Sequence, residues 1–212
     1  MITERLKQTM ALIANFYDGC RHGYEGHEGY RKSTDLFKLS RGIEELEALG
    51  LLGCDRTVFA DLGCADGRVN LLMSYFVRLS LGIEIDGEIL AEYGPRKAEL
   101  ESRLRQAGLQ PPPGNLALFH GSSPAPETYA AIQAQHDISF SDIDLFYTYI
   151  TLHDVFAEKI AAEAKPGALY LVYGFNRILP RYEHLEVMIP DLGSQGIAAL
   201  YRKGHRRGLS AS

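Results

Sequence analysis

The chain has 212 residues, 46% hydrophobic and 23% charged, with a formal net charge of −5. That balance describes one ordinary globular domain with a full-sized core, and no apolar run reaches membrane-spanning length, so a membrane partner is excluded. Net acidity offers no general attraction for polyanions, so nucleic acid is disfavoured as a partner.

Residues 3–16 predict a helix, with Leu6, Met10, Ile13 and Tyr17 at three-to-four spacing. The opening Met1-Ile2-Thr3-Glu4-Arg5 runs straight into this pattern and is no signal peptide. Residues 18–32 carry four glycines and almost no aliphatic side chain, which reads as a loop long enough to signal function or mobility. Cys20, His22 and His27 within it match no common zinc spacing, so no metal is expected. Cys54 and Cys64 add no C-x-x-C pair and no disulfide framework, and a reducing cytoplasm suits the chain. Ser33 or Thr34 can cap a helix over 35–49, whose Leu36, Leu39, Ile43 and Leu46 form one apolar stripe.

Residues 58–62 are apolar on both faces up to a final acid, as a central parallel strand is. A crossover helix over 68–76 leads to a second strand, 79–85. A longer helix over 87–108 is interrupted at Gly94-Pro95, and residues 110–114 make a stiff connector. A short strand follows at 115–119, then a partly helical return at 124–135 and a fourth strand at 143–149. Thr151-Leu152-His153-Asp154 has the form of a capping box opening a helix to about 164. Lys165-Pro166-Gly167 turns into a fifth strand at 168–175, and 184–189 with 197–202 read as a hairpin. The basic run 202–207 reads as a solvated tail, a local nucleic-acid patch being the other reading. Alternating strands and helices that finish in a hairpin imply an α/β three-layer sandwich.

The chemistry concentrates at residues 57–69. An apolar strand meets Asp61, then a turn spaced Gly63-x-x-x-Gly67, then a helix. The dinucleotide fingerprint G-x-G-x-x-G is missing, and Asp66 at the start of the helix would repel a pyrophosphate. An acid there suits a ligand that carries an ammonium and a sulfonium, such as S-adenosylmethionine. Asp61, at the carboxyl end of a buried strand, must bind something or bear a penalty. Gly63 and Gly67 allow close approach. Glu84, 23 residues after Asp61, can accept from both hydroxyls of a ribose, while Asp86 caps the next helix.

Asp61-Leu62-Gly63-Cys64-Ala65-Asp66-Gly67 resembles the D/E-x-G-x-G-x-G cofactor loop of class I S-adenosylmethionine-dependent methyltransferases, and Gly82-Ile83-Glu84-Ile85-Asp86 their second-strand motif. Two departures stand out: Ala65 replaces the middle glycine, and His120-Gly121-Ser122 stands where the family has Gly-Asp. The resemblance covers residues 57–203 and implies a Rossmann-like, mostly parallel seven-stranded sheet with an antiparallel C-terminal hairpin strand. It implies cofactor contacts from Asp61, Gly63, Cys64, Ala65, Gly67, Glu84, Ile85, Ser122 and Thr148. Tyr30-Arg31-Lys32-Ser33 is loosely similar to the pre-loop segment of non-SET lysine methyltransferases, which adds Tyr30 as a cofactor contact; a packing aromatic is its other reading. The fourth strand borders the transferred methyl in this family, making Tyr149 and His153 the catalytic candidates, with His153 either a general base or a structural residue. The motif Asn/Asp-Pro-Pro-Tyr is absent. The expected organisation is a helical lid and substrate wall over 1–56, a cofactor-binding core over 57–203 and a basic tail over 204–212. The expected activity is methyl transfer to a protein lysine, another amine or a small molecule; the alternative is a catalytically silent binding module acting through a partner.

Overall fold

The computed structural model describes residues 2–19, 24–26, 29–31, 33–175 and 178–204. Within the expected lid, Cys20, His22, His27 and Lys32 lie outside them, as does the tail beyond 204.

Helix α1 (Glu4–Asp18) starts where Thr3 Oγ1 accepts from the Leu6 amide, and it buries Met10, Ile13, Ala14 and Tyr17. Helix α2 (Leu36–Ala48) buries the predicted stripe, but its cap is Asp35 rather than Ser33 or Thr34. The Asp18 carboxylate also takes the amides of Leu36 and Phe37, so the two acids satisfy this helix start and Thr34 is released for another bond. Between the helices the expected loop contains a short antiparallel pair, β1 (Tyr24–Gly26) and β2 (Gly29–Arg31).

Seven further strands form the main sheet: β3 (Gly53–Leu62), β4 (Val77–Glu84), β5 (Leu116–His120), β6 (Leu145–Tyr149), β7 (Leu169–Tyr173), β8 (Leu185–Ile189) and β9 (Ala198–Lys203). Their order is β5-β4-β3-β6-β7-β9-β8, with the first five parallel and both β9 and β8 in antiparallel pairings. This is the expected α/β sandwich. From β3 the chain builds outward through β4 and β5, then returns to β6 on the other side of β3. The crevice between the carboxyl ends of β3 and β6 is therefore the topological switch point, where open α/β sheets bind ligands.

One face of the sheet carries α1, α2, α3 (Arg68–Met73) and α5 (Tyr93–Gln106), whose apolar side chains share one buried cluster with Phe59, Leu145, Tyr147 and Tyr173. The other face carries α6 (Pro126–His136) and α7 (His153–Glu163) over Val58, Ala60, Phe146 and Tyr170. The strand period of two puts Asp61 on the face covered by α1 and α2, in register with Tyr147. Among the described residues no helix is long and apolar enough to cross a membrane.

Three local expectations shift. The 87–108 helix breaks at Glu92, into α4 (Gly87–Ala91) and α5, so Pro95 falls in the first turn of α5, where a missing N–H costs nothing. The capping box at Thr151 does not form. Ile150 N–H bonds the Tyr173 carbonyl and Thr148 Oγ1 reaches the Thr151 carbonyl, so the chain stays tied to the sheet and α7 starts after Leu152, at φ 54° without a side-chain cap. Lys203, expected near a solvated tail, is a buried residue of β9 whose Nζ donates to the Ala164 carbonyl at the end of α7.

Gly82 lets β4 run beneath the following loop: a Cβ there would lie 2.4 Å from Leu118, 2.6 Å from Asn70 Oδ1 and 2.9 Å from Cys64 Cβ. Gly82→Ala is expected to lower stability by about 1–3 kcal/mol, the cost of overpacking a core. Urea unfolding of the two chains measures it.

Candidate functional site

The loop that follows β3 turns on three left-handed residues: Gly63 at φ 137°, Ala65 at φ 47° and Gly67 at φ 72°. Ala65 stands where the resembling family has glycine, and a β-carbon in this region costs about 1–2 kcal/mol. Neighbouring β4 holds the loop in place. Cys64 N–H bonds the Ile83 carbonyl at 2.9 Å, and Ala65 N–H bonds Glu84 Oε2 at 2.8 Å. The other carboxylate oxygen, Oε1, accepts from Asp86 N–H at 2.9 Å. Each oxygen of this partly exposed carboxylate keeps a lone pair for a further donor.

Asp61 is 1% exposed, and its Oδ1 has no hydrogen-bond partner among the described residues. Burial, then the negative charges of Glu84 and Asp66, push its carboxyl well above the ordinary carboxylate range. It faces a cavity also lined by Thr34, Gly63, Ala65, Tyr147 and Tyr149. The outer wall comes from the N-terminal segment, where the Thr34 and Tyr147 hydroxyls hydrogen-bond at 2.7 Å in a buried contact. Tyr173 lies 6.4 Å from the Tyr147 ring and 5.6 Å from the Tyr149 ring. Gly174, at φ 94°, makes room for Tyr149: a Cβ there would sit 2.5 Å from the ring.

Asp66 does not point a spare charge at a ligand, as its position at the start of the helix suggests. It is fully buried, its two oxygens accept from Arg68 Nε and Nη2 at 2.9 Å each, and Arg96 Nη1 donates to Oδ2 at 2.8 Å. Arg96 continues to Glu92 at 2.9 Å. Arg68 also donates to the Tyr17 carbonyl at 3.3 Å and lies over the Tyr17 ring, 5.3 Å from its centroid. Two guanidiniums thus neutralise Asp66 and tie α1 and α5 to the loop, and the repulsion of a pyrophosphate expected from this acid is blunted.

The structure brings Asp61, Gly63, Cys64, Ala65, Gly67 and Glu84 together. Ile85 follows Glu84 with 48% of its surface exposed, and its carbonyl meets His120 Nε2 at 3.0 Å. Ser122 follows β5, half-buried, with its carbonyl taken by Ala125 N–H and Thr128 Oγ1. Thr148 is buried and donates to the carbonyls of Tyr149 and Thr151, outside the cavity lining. His153 is also outside that lining and bonds Tyr182. Tyr30 lies in β2, and its side chain is outside the described residues. Sequence reasoning missed Thr34 as cavity wall, Arg68 and Arg96 as partners of Asp66, and Tyr147 as the neighbour of Asp61. Only Tyr147 had a signal, at two residues before Tyr149 on the same strand face.

No protein-family model matches the chain, and no curated protein matches it in sequence. Solved structures do resemble it. The rRNA methyltransferase aviRa from Streptomyces viridochromogenes superposes with a TM-score of 0.54 at 15% identity, covering 85% of this chain and 89% of its own. A second structure of aviRa gives 0.53 at 13% identity, covering 84% and 88%. An RNA methyltransferase from Salinibacter ruber in complex with S-adenosyl-L-homocysteine gives 0.47 at 15% identity, covering 77% and 90%. The aviRa likeness is one of fold: the chain has the Rossmann-like fold of class I S-adenosylmethionine-dependent methyltransferases. It also corrects an expectation. An enzyme named for acting on rRNA is built on this fold, so a net charge of −5 gives no ground for disfavouring nucleic acid as a partner.

A buried acid whose folded pKa is raised destabilises the chain at high pH, and that penalty fades as pH falls through the raised value toward the ordinary one. Asp61→Asn is therefore expected to stabilise the ligand-free protein by about 1–3 kcal/mol at pH 8, the scale of an unpaired buried polar group. The gain should shrink as pH is lowered. Thermal unfolding of both chains across pH checks it, and a gain that grows on acidification would contradict the burial of a charged Asp61.

Proposed function

We propose that the chain is an S-adenosylmethionine-dependent methyltransferase whose residues 57–203 bind the cofactor and whose residues 1–56 form a wall of the substrate site. The observation that carries this reading is Asp61: a buried carboxylate with an oxygen unpartnered among the described residues, facing a cavity at the switch point of the sheet. Such a group asks for a cationic donor, and the ammonium of the cofactor's amino-acid end is one. Backbone of Gly63, Cys64, Ala65 and Gly67 would lie against that end. The remaining lone pairs of Glu84 would accept the ribose hydroxyls. The exposed Ile85 offers an apolar surface for the adenine, and Ser122 a hydroxyl for its amino group. Tyr30 and Thr148 complete the proposed cofactor residues, Thr148 through the backbone it holds.

The bound cofactor supplies a methyl group on a sulfonium, open to in-line displacement. The chain's share is to position the acceptor, exclude water and, where the acceptor needs it, take a proton. Tyr149, at the end of β6 and on the cavity wall, is placed for the first task. Thr34 supports the wall by bonding Tyr147, which is why the N-terminal segment belongs to the site.

Calorimetry with adenosylhomocysteine and NAD, followed by labelled-methyl transfer into cell lysate, tests the reading. Adenosylhomocysteine is expected to bind and NAD not to. Equal or tighter binding of NAD would overturn the proposal, and binding without any transfer would favour the silent module. A labelled protein band supports the lysine or amine acceptor and label in small molecules the small-molecule one; label in RNA redirects the acceptor.

Glu84→Ala is expected to weaken adenosylhomocysteine binding by about 1.5–3 kcal/mol, the worth of hydrogen bonds to a charged group. An unchanged calorimetric affinity would place the ribose elsewhere.

A further inference from the structure

In the ligand-free chain the charge of Asp61 has to be met by something, and the described groups around it do not meet it. The carboxyl sits next to the end of β3, buried under the α1–α2 layer, with Oδ1 unpartnered among the described residues. Two other acids stand near. Glu84, ending β4, spends its oxygens on the Ala65 and Asp86 amides, and Asp66 in the loop is shared by Arg68 of α3 and Arg96 of α5. Arg68 lines the same cavity, but its Nε and Nη2 donate to Asp66 and its Nη1 to the Tyr17 carbonyl. Asp18, at the end of α1, is held by the Leu36 and Phe37 amides of α2. The remaining titratable groups are Cys64 in the loop, Tyr147 and Tyr149 on β6 and Tyr173 on β7. Burial above all pushes each of them up, so they stay neutral near neutral pH.

We propose that Asp61 carries a proton in the ligand-free chain and exchanges it for the ammonium of the cofactor's amino-acid end, so that cofactor uptake releases a proton and strengthens as pH rises. This rests on the methyltransferase reading above. A third negative charge in a water-poor pocket beside two carboxylates is unfavourable, and a proton is the smallest cation that removes it. Burial, then Glu84 and Asp66, hold the free carboxyl well above the ordinary range, and an ammonium within hydrogen-bond reach pulls it back down. The exchange balances. The Asp61 O–H bond breaks, its electron pair stays on the carboxylate and the proton leaves to the buffer. The α-amine arrives already protonated and supplies the counter-charge. Between the raised value of the free chain and the lower value of the complex, the complex binds fewer protons, so binding weakens as pH falls, by up to about tenfold per unit. The same exchange makes the site selective. A ligand without the ammonium leaves Asp61 protonated and gains nothing from it.

Titration calorimetry on the full chain at pH 6.5, in buffers of different ionisation enthalpy, counts the protons. The probes are S-adenosylhomocysteine and 5′-methylthioadenosine, which keeps the adenosine and the thioether but has no amino-acid end. About one proton released with adenosylhomocysteine, and none with methylthioadenosine, is the expected result. From pH 7 to pH 6 the affinity for adenosylhomocysteine, relative to methylthioadenosine, is expected to fall about three- to tenfold. Asp61→Asn keeps the shape but has no proton to give, and is expected to abolish both effects. Should that variant lose adenosylhomocysteine binding, carboxyl-carbon NMR of wild-type chain labelled in aspartate carries the test. The resonance missing from Asp61→Asn is expected at a protonated position in the free chain at pH 6.5, moving to an ionised one with adenosylhomocysteine and staying put with methylthioadenosine. Adenosylhomocysteine binding without proton release, equal release with methylthioadenosine, or an ionised Asp61 in the free chain would overturn the proposal. Failure of adenosylhomocysteine to bind at all would instead remove the cofactor reading, and this exchange with it.

Discussion

A carboxylate as deeply buried as Asp66 persists only where cations reach it, and here two guanidiniums do. Removing one partner from such a buried set typically costs about 3–5 kcal/mol, so the arrangement over-determines its own geometry. That geometry organises the site. Arg68 belongs to the helix the loop leads into, and Arg96 to α5. Through the Tyr17 carbonyl, Arg68 also holds the end of α1. One neutralised acid thus keeps a strained alanine and two left-handed glycines in a fixed turn, and clamps the N-terminal helices over the sheet.

Asp61, five residues earlier, is the counterpart. It is buried by the same α1–α2 layer, yet among the described residues no cation pairs with it. One acid is compensated twice, while its neighbour keeps an oxygen unpartnered among the described residues. The N-terminal helices take part in that burial. They are what keeps water from the carboxylate.

Tyrosines from the parallel strands and their returns crowd this end of the sheet. Tyr147, Tyr149 and Tyr173 line one face of the sheet end, while Tyr170, Tyr182 and Tyr201 surround His153 from the other. Strand alternation explains the division. Tyr173 and Tyr170 sit on the same strand three residues apart, hence on opposite faces. The edge of a single sheet therefore presents a tyrosine wall toward the cavity at Asp61 and a hydrogen-bonded histidine on the other face.

The sheet, its order of strands and helices, and the loop from Asp61 to Glu84 were legible in the sequence because each rests on local information. Strand 58–62 is apolar on both faces, glycines recur where the backbone must turn left-handed, and the acid after the second strand lies at a characteristic distance. The role of Asp66 was misread for the opposite reason. Its partner Arg96 is thirty residues away, and whether a carboxylate faces a ligand or an arginine is settled by side chains that meet only after folding. The same holds for Thr34, whose sequence neighbours suggest a helix cap. Two nearby aspartates do that work, and a tyrosine 113 residues on takes its hydroxyl. Sequence alone determined which backbone could be built and where its loop would turn. Which charges are spent inside the protein and which are left for a ligand was decided by tertiary contacts, because pairing depends on distance and burial rather than on spacing along the chain.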